Sequence, residues 1–184
     1  MKQLKKYAII GIFFVLILGT LSHFLYEWTG NNLIVGFFTP VSESVWEHMK
    51  LLFFPMLLYS IIMFYRYRAV YPCIFSSFCL GILLGTTLIP ILFYIYTAIL
   101  GHNIFILDIA VFIISTVAAF FAAYKFTLSC KTQPYRRVLY ISLCIAILCF
   151  ILFTCNPPRA EIFDNPAPSG ASPSICLMRR SQTG

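Results

Sequence analysis

Nine side chains in this sequence are imidazoles or carboxylic acids, which can bind a metal ion or carry a proton. They are three histidines and six carboxylic acids, namely His23, Glu27, Glu43, Glu47, His48, His102, Asp108, Glu161 and Asp164. Two pairs have the i,i+4 spacing that places both members on one helix face: His23 with Glu27, and Glu43 with Glu47. Imidazole and carboxylate groups together suit a divalent metal such as zinc, or a proton relay.

This pattern predicts that several of these side chains gather in a polar cluster at one end of the molecule. Its candidate members are His23, Glu27, Glu43, Ser44, Glu47, His48 and Asp108. The candidate metal ligands among them are His23, Glu27, Glu43, Glu47 and His48. No HExxH motif is complete, because the Glu47-His48 pair lacks a second histidine at the required distance. The catalytic residues of any reaction stay unknown at this stage.

Ordinary interfacial structure gives a second interpretation of the same residues. Ser42 is placed to cap a helix that begins at Glu43, and carboxylates in a first turn oppose the helix macrodipole. Asp108 fits a cap or a partner for His102, while Lys50 either extends outward or pairs with a nearby glutamate. Three alternatives therefore stay open: capping with hydrogen bonds, a metal site, and a proton- or substrate-binding cavity.

The composition excludes a soluble globular domain. Hydrophobic residues make up 60% of the 184 residues and charged residues 10%, against roughly 45–50% and about 25% in soluble proteins. A chain of this size has too little interior to bury so many apolar side chains, so lipid must solvate much of it. The net charge of +7 does not indicate nucleic-acid binding, because the basic residues stand in short clusters between apolar runs.

Five apolar runs are long enough for transmembrane helices, which need about 20 residues each. They cover residues 7–26, 47–65, 73–99, 104–124 and 138–154. The sequence therefore predicts an all-α fold, a polytopic transmembrane helix bundle over residues 1–155. The segment 156–184 is rich in Pro and Ser, and we expect an extended, disordered tail outside the cytoplasm.

The distribution of basic residues predicts how the bundle is oriented. Nine of them lie before span one, between spans two and three, or between spans four and five: Lys2, Lys5, Lys6, Arg66, Arg68, Lys125, Lys131, Arg136 and Arg137. The opposite loops hold only Lys50. The positive-inside rule then places the N-terminus in the cytoplasm, and the C-terminus and the polar cluster outside. Trp28 and Trp46 would mark the outer interface of a plasma membrane.

Small residues and cysteines complete the structural expectations. Ser77, Gly81 and Gly85 form a small-xxx-small row that lets helices approach closely, within the chain or in a homo- or hetero-oligomer. The seven cysteines show no CxxC or Cys/His spacing, so we interpret them as reduced and structural. Cys155 and Cys176 are the one pair that we would test for a disulfide.

Residues 22–55 contain two dense motifs, H-F-x-Y-x-W and then P-V-S-E-S-x-W-E-H-x-K. They resemble the signature of a family of small bacterial integral membrane proteins that is known only as a domain of unknown function. The resemblance implies a polytopic membrane protein and no particular activity. The later spans agree with this family only in hydropathy, and the sequence departs from it after Pro166.

The sequence supports three functional hypotheses. The first is a non-enzymatic membrane protein, either a transport accessory or a subunit of a membrane complex, because no catalytic motif is complete. The second is a metal-dependent enzyme that acts on a lipid or envelope substrate, with His23, His48 and a glutamate as ligands and a second glutamate as general base. The third is a pH- or ion-responsive sensor that works through protonation of His23 or His48.

Overall fold

The chain folds into a bundle of α-helices. A computed structural model describes residues 2–164, and no strand occurs within that range. The α-helices are α1 (Lys2–Trp28), α2 (Leu33–Gly36), α3 (Val45–His48), α4 (Lys50–Tyr67), α5 (Ile74–Leu100), α6 (Phe105–Ser129) and α7 (Arg136–Cys155). Two 3₁₀-helices, η1 (Gln133–Tyr135) and η2 (Glu161–Phe163), flank α7.

Five helical stretches are long and apolar enough to cross a membrane, as the sequence predicts. They are Gln3–Trp28, Val45–Tyr67, Ile74–Leu100, Phe105–Ser129 and Gln133–Cys155. The second stretch joins α3 and α4, which are separated only by Met49. The helices extend a few residues beyond the apolar runs because their flanking polar residues continue the same backbone hydrogen bonding.

The centre of the bundle is the close packing of α5 against α4 and α6. A Cβ atom built on Gly81 would lie 2.6 Å from the carbonyl oxygen of Ala119, so only glycine permits this approach. A Cβ atom on Gly85 would lie 2.6 Å from the Cβ atom of Ala119. Ser77 is fully buried as well. The small-residue row is therefore used inside the chain, against α6.

A disulfide joins Cys73 and Cys130, which differs from our expectation of reduced cysteines throughout. Cys73 caps the N-terminus of α5 and Cys130 follows the C-terminus of α6, so the two meet where adjacent antiparallel helices end. Their Cα atoms are 5.4 Å apart, within the usual range for a disulfide. This pair could not be predicted from the sequence, because its members are 57 residues apart and meet only through the packing of α5 and α6.

Three of the other cysteines are free, and the remaining two are the pair that we would test for a disulfide. Cys79, Cys144 and Cys149 are free thiols, as the sequence predicts for residues inside apolar helices. Cys176, which we paired with Cys155 as a candidate disulfide, lies outside the described residues.

The segment that follows α7 returns to the bundle. Its short helix η2 places the ring of Phe163 5.0 Å from Trp46 and 5.5 Å from Phe153, measured between ring centroids. We expected an extended tail from residue 156 onward, but residues 161–163 form this helix against α3. Residues 165–184 of that tail lie outside the described range.

Candidate metal centre

Two elements bring the ligand-bearing residues together. The last turns of α1 carry His23, and the connection from residue 29 to residue 48 carries Glu43 and His48. Within this connection the carboxamide oxygen of Asn32 accepts the N–H of Ile34 at 2.9 Å, which caps the one-turn helix α2. The connection therefore turns back toward the bundle before α3 begins.

The cap of α3 decides where Glu43 points. The Ser44 hydroxyl accepts the N–H of Glu47 at 3.3 Å, so the helix begins at Val45 and not at Glu43 as we expected. Ser42, the expected cap, donates its hydroxyl proton to the Ser44 hydroxyl at 3.2 Å. Because Glu43 precedes the helix, it does not share a helix face with Glu47.

His23, Glu43 and His48 form a cluster that could hold a metal ion. The Nε2 atom of His23 lies 3.7 Å from one carboxylate oxygen of Glu43, and the Nε2 atom of His48 lies 3.4 Å from the other. One ligand atom from each residue can be chosen so that all three lie within 4.8 Å of one another. The ligand atoms of a tetrahedral zinc ion are about 3.3–3.5 Å apart, given bonds of about 2.0–2.2 Å. The cluster needs only a small contraction to reach that geometry.

Hydrogen bonding prepares His48 as a ligand. Its Nδ1 atom lies 2.9 Å from the carbonyl oxygen of Ser44, and a carbonyl can only accept, so Nδ1 carries the proton. In the neutral ring, the Nε2 atom that faces Glu43 then has its lone pair available for a metal ion. Metal-binding histidines commonly donate their other ring N–H to a backbone carbonyl in this way, which fixes the orientation of the ring.

His23 completes the cluster from α1. Its ring centroid lies 5.4 Å from that of His48 and 5.2 Å from that of Phe24. The Nδ1 atom is buried and has no hydrogen-bond partner among the described residues. Because only Nε2 of this ring approaches Glu43, the same nitrogen type is presented by both histidines.

The cluster is open to its surroundings. The side chains of His23 and His48 are 28% and 31% exposed, and that of Glu43 is 65% exposed. Three protein ligands leave at least one coordination position of a zinc ion free for water or another ligand. An incoming ion can therefore reach the site without any helix moving apart.

The other predicted members of the polar cluster lie elsewhere at the same end. Glu47 is 4% exposed and pairs with Lys50 at 2.7 Å, while Asp108 accepts a hydrogen bond from the hydroxyl of Tyr96. Glu27 is exposed at the end of α1 and is not part of the three-residue group. His102 is exposed in the turn after α5. The sequence offered no signal for Tyr96, because an aromatic residue in an apolar helix is ordinary.

The two tryptophans have different surroundings. Trp28 is 68% exposed and stacks on Phe24 with centroids 5.9 Å apart. Trp46 is half-buried and packs against Phe150, whose centroid is 4.9 Å away. Trp28 has the exposure of an interfacial anchor, whereas Trp46 fastens α3 to α7.

Comparison with known proteins places the sequence motifs in a wider context. The model of the Family of unknown function (DUF6512) matches residues 1–170. That range includes residues 22–55 and all three residues of the metal-ligand cluster. No curated protein and no solved structure matches the chain.

Proposed function

We propose that this chain, which belongs to the Family of unknown function (DUF6512), is a membrane protein that binds a divalent metal ion such as zinc. The observation that carries the proposal is the group formed by His23, Glu43 and His48, whose ligand atoms lie within 4.8 Å of one another. Two neutral imidazoles and one carboxylate are a ligand set that zinc accepts in proteins. The bound ion would leave the site with a net charge of +1.

We further propose that the metal has a non-enzymatic role, in a transport accessory or a subunit of a membrane complex. A hydrolytic enzyme needs a general base beside the metal-bound water. Glu47, the nearest candidate in sequence, already accepts hydrogen bonds from Lys50 and from the backbone of Val41. It is therefore poorly placed to take a proton from water, which favours binding over catalysis.

Metal analysis of the purified full chain tests this proposal. We expect about one zinc ion per chain in detergent micelles, and at least a tenfold loss of affinity in His48→Ala and in Glu43→Gln. His102→Ala is the matched control, because His102 is exposed at the same end but outside the cluster. Wild-type protein that takes up no zinc or cobalt at micromolar concentrations would contradict the proposal.

A second function, a metal-dependent enzyme acting on a lipid or envelope substrate, is favoured by one observation. Three ligands leave a coordination position free, and Glu43 is 65% exposed, so a substrate could reach the ion. The test is turnover of phospholipids by the zinc-loaded protein, with His48→Ala as the inactive comparison. Equal rates in the two proteins would remove this candidate.

For the location we propose the plasma membrane, with the metal cluster outside and the N-terminus in the cytoplasm. The positive-inside distribution of lysine and arginine supports this orientation. It places Cys73 and Cys130 at the cytoplasmic end, where disulfides are rare, so the orientation needs a direct measurement. Reporter fusions after Asn31 and after Arg68 should be active outside and inside, respectively. The reverse pattern would overturn the orientation without affecting the metal site.

A further inference from the structure

A lysine is completely buried at the same end of the bundle as the metal-ligand cluster. The side chain of Lys50 has 0% exposure, and its ammonium nitrogen lies 2.7 Å from a carboxylate oxygen of Glu47. The same nitrogen donates to the hydroxyl oxygen of Thr154 at 2.6 Å and to the carbonyl oxygen of Gly36 at 3.1 Å. The three protons of the ammonium group therefore have three close acceptors.

These acceptors belong to three separate parts of the chain. Gly36 ends α2, Glu47 lies in α3, and Thr154 lies in the last turn of α7. Sequence distances of 14 and 104 residues separate Lys50 from Gly36 and Thr154. One ammonium group thus fastens the connection between α1 and α4 to the end of α7.

The network reaches the metal cluster through Glu47. The carboxylate oxygen that accepts from Lys50 also accepts the backbone N–H of Val41 at 3.0 Å. Val41 is two residues before Glu43, and Glu47 is adjacent to His48. A single carboxylate therefore links the backbone on both sides of Glu43, with His48 following directly, and this carboxylate is held in turn by Lys50.

We infer that Lys50 is a positioning residue for the metal site, an inference that rests on the proposed metal-binding function. It keeps the backbone of residues 36–48 in the conformation that presents Glu43 and His48 to His23. Burying a charge is costly unless it is paired and hydrogen-bonded, and the three acceptors of Lys50 meet that requirement only while residues 36–48 keep this conformation. Groups that hydrogen-bond directly to metal ligands change the affinity about 10–100-fold when they are lost, and Lys50 acts one step further out, through Glu47.

Hydrogen exchange tests the positioning role without any metal. In the full wild-type chain, we expect the amides of residues 41–48 to be protected. In Lys50→Met they should exchange at least tenfold faster, whereas the amides of α5 keep their wild-type rates. Unchanged exchange of residues 41–48 in Lys50→Met would overturn the inference, whether or not the protein binds metal.

Cobalt absorption gives the second readout, because its visible bands report the number and geometry of the ligands. Lys50→Met should bind Co²⁺ at least tenfold more weakly and with altered bands, and Lys50→Arg should recover part of the affinity. Thr132→Val, a change at the opposite end, should match the wild type. Wild-type affinity and bands in Lys50→Met would overturn the positioning role.

A milder variant covers the case in which Lys50→Met does not fold. Thr154→Val removes the acceptor on α7, together with the hydrogen bond that this hydroxyl donates to the Phe150 carbonyl within α7. It keeps the Lys50–Glu47 pair, and it should weaken Co²⁺ binding about threefold. Wild-type Co²⁺ affinity in this variant would show that the Lys50–Thr154 hydrogen bond does not help to position the metal ligands. If the wild type binds no Co²⁺, the metal-binding proposal fails, and the exchange rates of residues 41–48 in Thr154→Val decide the positioning role alone.

Discussion

Both ends of the bundle contain buried polar side chains, but the two ends use them differently. We call the end with His23, Glu43 and His48 the histidine end, and the end with Cys73 and Cys130 the cysteine end. At the cysteine end, the buried hydroxyls of Ser76 and Ser77 both donate to the Cys73 carbonyl and lie 3.0 and 3.1 Å from the Thr132 hydroxyl. These groups are neutral and satisfied by one another.

The histidine end holds charges, and the Nδ1 atom of His23 has no hydrogen-bond partner there among the described residues. The Lys50–Glu47 ion pair is buried at this end, where two imidazole nitrogens also face an exposed carboxylate. Joining helices does not require ionisable groups, since neutral hydroxyls and a disulfide do this at the cysteine end. The contrast supports our proposal that the histidine end binds a metal ion, whereas the groups at the cysteine end serve stability.

The largest effect should come from breaking the buried ion pair at the histidine end. Lys50→Ala leaves the Glu47 carboxylate buried without its partner, which typically costs about 3–5 kcal/mol in the free energy of unfolding. Unfolding by SDS, followed by circular dichroism, measures the loss. Replacing both residues with apolar ones, Glu47→Leu with Lys50→Met, should recover most of the stability. A single variant as stable as the wild type would show that the pair is not buried as described.

The disulfide at the cysteine end should give the next largest effect. Cys73→Ser removes the link between the ends of α5 and α6, and losing a disulfide typically costs about 2–4 kcal/mol. The same unfolding measurement applies, with reduced wild-type protein as the comparison. Because the two ends are independent in our account, zinc affinity should not change. A Cys73→Ser protein with tenfold weaker zinc binding would contradict the separation of the two ends.

The sequence predicted the five long helices because their signal is local. Each span is a continuous apolar run of membrane-crossing length, so no knowledge of distant contacts was needed. The disulfide between Cys73 and Cys130 was missed for the opposite reason. Its formation depends on α5 and α6 packing side by side, and nothing in the cysteine spacing encodes that contact.

The metal-ligand cluster shows the same limit of prediction from sequence at the level of single residues. We predicted that Glu43 and Glu47 share one helix face, because a helix that begins at Glu43 would contain both residues. The cap at Ser44 starts that helix two residues later, so Glu43 turns to the histidines and Glu47 turns to Lys50. The choice between Ser42 and Ser44 as the cap decides the ligand set, and the two serines are equally good caps by residue type.

Zinc should stabilise the protein through the histidine end alone. A ligand present at 100 times its dissociation constant adds about 2.7 kcal/mol to the free energy of unfolding if it binds only the folded state. We expect that gain in the wild type and in Cys73→Ser, and no gain in His48→Ala. Unfolding curves with and without zinc measure this gain. Equal stabilisation of His48→Ala would mean that the ion binds elsewhere. Zinc affinity should also fall as the pH decreases, because protons compete with the metal for the histidine nitrogens.

The same Thr→Val replacement at each end gives the finest comparison. At the histidine end, Thr154→Val removes the acceptor of a charged donor and the hydrogen bond that the hydroxyl donates to the Phe150 carbonyl, which should cost about 1.5–3 kcal/mol. At the cysteine end, Thr132→Val should cost only about 1 kcal/mol, because Ser76 and Ser77 keep their hydrogen bonds to the Cys73 carbonyl. Both threonines are 3% exposed, so burial does not distinguish them. Unfolding free energies measured side by side test the difference, and equal losses would mean that charge at the histidine end does not strengthen its network.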